Sequence, residues 1–89
     1  MNHIKLNDQL SFAVGRENKR LRLIVFDGSH ELVCHKASKT ELEYFIKAET
    51  AHLFKGRLQL DKSDNHITIH VKGAVMGIIE QDDFVKLIN

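Results

Sequence analysis

Segment after segment of this chain places apolar side chains at every second position, and that period of two commits it to β-strands. Leu10, Phe12 and Val14 share one parity, as do Leu21, Leu23 and Val25, and later Ile67, Ile69 and Val71. No proline occurs among the 89 residues. Gly, Asn, Asp and Ser must therefore make the turns. Asp27-Gly28 is the strongest hairpin signal, between strands read at 20–26 and 31–37. In that third strand, parity puts Leu32 and Cys34 on the apolar side and Val33 and His35 opposite.

Helical spacing interrupts the alternation twice. Ser38 to Glu41 fits a capping box, with Ser38 as N-cap. Leu42, Phe45, Ile46 and Leu53 then follow on one stripe broken by Glu49, and Gly56 offers a stop. The spacing predicts a helix of about 16 residues. Near the C-terminus, Asp82 or Asp83 can cap a short helix carrying Phe84, Leu87 and Ile88.

Strands at 57–61 and 66–71, and an apolar stretch at 74–79, complete the pattern. Gly73 fits a β-bulge or a bend into a sixth strand equally well. No internal repeat or linker stands out. The expectation is a single α+β domain spanning 1–89, in the order β-β-β-α-β-β-α. It is mainly one antiparallel five- to six-stranded sheet, with one long helix on its apolar face and a short C-terminal helix.

Composition narrows the function classes. One cysteine, Cys34, excludes an intrachain disulfide framework and favours an intracellular setting. The first eight residues lack the apolar core of a leader. The longest apolar run, Leu23 to Phe26, is far below the roughly 18 residues of a membrane span. A cytoplasmic protein without membrane contact is expected.

Six histidines raise the question of a metal. On a strand, His66 and His70 share a face but sit roughly 13 Å apart, too far for one zinc ion. Cys34 and His35 are adjacent and point to opposite faces, so they make no nucleophile–base pair. The expected Cys34 is a buried, inert thiol. No phosphate-binding glycine pattern occurs. No enzyme, cofactor or metal is expected.

What remains is binding. The second face of the sheet is mixed, with Ile24, Phe26 and Val33 as an apolar island rimmed by Arg20, Arg22 and His35. A small non-catalytic protein acting through protein–protein contacts fits this face best: an adaptor, inhibitor, antitoxin or immunity protein, or chaperone. Its partner is another protein or a second copy of itself. The competing reading is that the C-terminal helix covers the island. The alternative function is a single-stranded nucleic-acid-binding module, with Arg16, Lys19, Arg20 and Arg22 along a basic face.

Overall fold

The computed structural model describes residues 2–89. Met1, the first residue of the segment read for a leader, lies outside them. Strand β1 is His3–Lys5, β2 Leu10–Glu17, β3 Arg20–Asp27 and β4 His30–Ala37. Helix α1, Lys39–Lys47, leads to β5 Thr50–Leu53, β6 Leu58–Ser63, β7 His66–Val71 and β8 Ala74–Glu80. Helix α2, Gln81–Ile88, ends the chain. The strands form two four-stranded antiparallel meanders, β1-β2-β3-β4 and β5-β6-β7-β8. This corrects the expected single five- to six-stranded sheet with one long helix.

The long helix fails at its C-terminal half. The capping box at Ser38 and Glu41 forms as expected, with Ser38 Oγ accepting from the Glu41 amide at 3.1 Å. The chain turns extended at Ala48. Thr50 and His52 then point to solvent while Ala51 and Leu53 turn partly inward, a strand alternation. Leu53 lies seven residues beyond Ile46. That spacing fits a helical stripe, but Glu49 breaks the stripe and the alternation from Thr50 to Leu53 follows it.

The two halves repeat one architecture, four strands and a helix, which the sequence reading did not find. Leu42, Phe45 and Ile46 of α1 match Phe84, Leu87 and Ile88 of α2 in spacing. Asn18 and Asp64 begin the β2–β3 and β6–β7 turns at φ +57° and +54°. The Gly28 amide donates to Gln9 O at 3.3 Å, and the Lys72 amide donates to Arg57 O at 2.8 Å. Each of these bonds ties a hairpin turn to the residue entering the second strand. Lys72 and Gly73 both adopt positive φ, so Gly73 sits in a tight hairpin turn rather than a bulge.

Each helix C-terminus is held by the opposite half. Arg16 of β2 donates to Ile88 O and Asn89 O, both at 3.1 Å, at the end of α2. Lys62 of β6, almost fully buried, donates to Ala48 O at the end of α1. Cations placed there satisfy terminal carbonyls and oppose the helix dipole.

One core joins both inner sheet faces and both helices. Phe84 is fully buried, its ring 6.0 Å from Phe12 and 6.2 Å from Phe45. Helix α2 therefore wedges against the inner face of the first sheet and does not cover the mixed outer face. Its N-cap is Glu80, with no side-chain cap bond, in place of Asp82 or Asp83.

Candidate functional site

A bulge in the β3–β4 pairing decides what β4 presents. Val25 pairs with Val33 and Phe26 with Glu31, leaving Leu32 as the extra residue. One extra residue reverses the parity beyond it. Cys34 pairs with Ile24 on the outer face and is exposed, which corrects the expected buried thiol. Val33 and His35 instead share the inner face with Val25 and Leu23.

The expected island is therefore divided between two faces. Ile24 is buried on the outer face, between Ala13 and Cys34 in register. Phe26 is half-buried there, and the His3 ring of β1 lies 4.9 Å from it. Neither is covered by α2. Val33 and His35 turn toward β6.

The basic set divides as well. Arg16, exposed at the end of β2, holds the end of α2. Arg22 donates to Glu31 at 2.6 Å and lies 3.5 Å from Glu17. Lys36 pairs with Glu17 at 3.0 Å. That hydrogen bond and charge hold the Glu17 carboxyl below its ordinary range, with Arg22 adding to the effect. Lys19 and Arg20 sit in and beside the β2–β3 turn. No continuous basic track survives.

The outer face of the second sheet carries the histidines. Asp61 accepts from His52 at 2.5 Å and lies 2.8 Å from His70. The His52 hydrogen bond foremost, and His70 with it, hold Asp61 below the usual carboxylate range. His66 reaches Glu80 at 3.2 Å instead. Among the described residues, no three His, Cys, Asp or Glu side chains are arranged to hold a metal ion. No described helix is long and apolar enough to cross a membrane.

The two seams between the sheets differ. At one seam, Leu6 of the β1–β2 loop packs so tightly on Gly77 of β8 that an added Cβ would come within 2.9 Å of the Leu6 Cβ. Asn7 Nδ2 donates to Met76 O at 3.1 Å, so part of the β8 edge is occupied. At the other seam, the β5–β6 loop meets β4 through Phe54, whose ring stacks on His35 at 3.8 Å. Phe54 holds φ +72°, a costly backbone conformation for a bulky residue.

Beside that stack lies a cleft of about 300 Å³, lined by Glu31, Leu32, Val33, Cys34, His35, Arg57 and Leu58. Strand β4 is eight residues long and pairs with β3 alone. Among the described residues, its outer edge makes no backbone hydrogen bond to another element. The cleft thus offers backbone donors and acceptors, the partly exposed Leu32 above the buried Val33 and Leu58, and a guanidinium at its rim. Sequence reading reached Val33 and His35 but missed Phe54, Arg57 and Leu58. The alternation at Thr50 to Leu53 was the signal that the chain returns to β4. Comparison with protein-family models, curated proteins and solved structures finds no match for this chain.

Proposed function

We propose that this chain is a small, non-catalytic protein-binding module that takes up an extended segment of its partner along the open edge of β4. The unpaired eight-residue edge beside a cleft carries this reading. An unpaired edge is a template for another strand. Leu6 and Asn7 occupy part of the equivalent edge at β8, so the edge of β4 is the more open of the two. The cleft of about 300 Å³ beside that edge has room for side chains of an extended peptide. Nucleic acid is the weaker reading, because Arg16 is engaged by the end of α2 and Arg22 by Glu31 and Glu17.

The test is a selection from a random-peptide phage library, followed by amide chemical-shift mapping with the tightest peptide. Shifts concentrated in residues 30–37 and 54–58 are expected. Shifts centred on Val75 and Ile78, the exposed branched side chains of β8, would contradict the reading and move the binding surface to the other sheet. Concentration-dependent self-association involving β4 would replace the partner with a second copy.

A further inference from the structure

We infer that the segment taken up along β4 is acidic, placing a carboxylate on Arg57 beside an apolar side chain seated on the partly exposed Leu32. This inference rests on the strand-addition reading above.

Two formally charged side chains line the cleft, Glu31 and Arg57. Glu31 is consumed by Arg22 at 2.6 Å. Arg57 makes no ion pair among the described residues. Its backbone is nevertheless fixed, because its carbonyl accepts from the Lys72 amide at 2.8 Å. A guanidinium on a held backbone at the rim of a cleft of mixed polarity is suited to a carboxylate, which it can grip through two parallel hydrogen bonds.

The pseudo-symmetry of the fold strengthens the point. Gln9 occupies the position equivalent to Arg57, its carbonyl accepting from the Gly28 amide at 3.3 Å. Gln9 is uncharged, and its side chain donates to Asp27 at 3.3 Å. The unpaired positive charge thus appears in the half that borders the open seam and not at its counterpart. A peptide accounts for the free strand edge and the accessible Leu32 beside it, which a phosphate backbone would leave unused.

The experiment compares selections from one phage library against the wild-type protein and Arg57→Glu. Asp and Glu should be enriched among wild-type binders. The best acidic peptide should weaken about tenfold on Arg57→Glu, the equivalent of 1.4 kcal/mol. Arg57→Lys should recover only part of that loss, because it lacks the bidentate fork. Peptides that shift the β4 amides, show no acidic enrichment and bind Arg57→Glu unchanged would overturn the acidic inference alone. Peptides that leave the β4 amides unmoved would overturn the strand-addition reading itself. A thymidine oligonucleotide that displaces the peptide at physiological salt would show the site to be a phosphate-backbone site and overturn both.

Discussion

Truncating Phe84 to alanine tests whether α2 is wedged inside the fold. The Phe84 side chain is fully buried, with Phe12 on one side and Phe45 on the other. Removing a buried phenylalanine costs about 3–5 kcal/mol. Two aromatic neighbours put this site in the upper half, about 4–5 kcal/mol. At about 0.05–0.15 kcal/mol per residue, a chain of this length has roughly 4–13 kcal/mol in all. The variant should therefore be barely folded, with its melting temperature lowered by about 20–35 °C. Urea titration followed by circular dichroism reads the loss directly. Phe26→Ala, on the outer face, serves as control and should cost about 1 kcal/mol. A loss below about 2 kcal/mol for Phe84→Ala would refute the placement of α2 in the core.

Arg16→Met should keep the apolar stem but free the end of α2, costing about 1–2 kcal/mol in urea titration; an unchanged midpoint would mean that the cross-cap contributes nothing. Phe26→Asp should leave a folded monomer by circular dichroism and light scattering, because Phe26 is only half-buried; global unfolding would show the outer face to be internal. Asp61 has its folded pKa depressed, so its contribution is present above the unfolded value of about 3.9 and is lost as pH falls through the folded value. His52 and Asp61 are both nearly half exposed, so solvent screening keeps that acid limb small. Urea midpoints against pH should be flatter at the acid end for Asp61→Asn, and an identical acid slope would remove Asp61 as its source.

The legible parts of the sequence were those fixed by short-range pattern. Leu10 to Val14, Leu21 to Val25 and Ile67 to Val71 alternate cleanly, and these strands form. Ser38 and Glu41 reveal α1 because a capping box closes within one turn. What failed depended on distant contacts or a single displaced residue. The bulge at Leu32 moved Cys34 outward and His35 inward, and nothing near it in sequence signals that shift. The three-residue strand β1 is too short to show a period. Arg16 and Lys62 look like surface cations until the helix ends they hold are brought beside them. The cleft shared this fate: one wall is β4, while the other, Arg57 and Leu58, comes from beyond the helix.

Cys34 supplies the most direct measurement of the binding surface. It is the chain's one cysteine, exposed on β4 and lining the cleft. In the free protein it should react with a thiol reagent at nearly the rate seen in denaturant. A saturating peptide from the phage selection should slow that reaction markedly, because a strand added along β4 covers its neighbourhood. Slow modification in the free protein would contradict the phase of β4. An unchanged rate in the presence of a bound peptide would contradict the uptake of a partner strand on this edge.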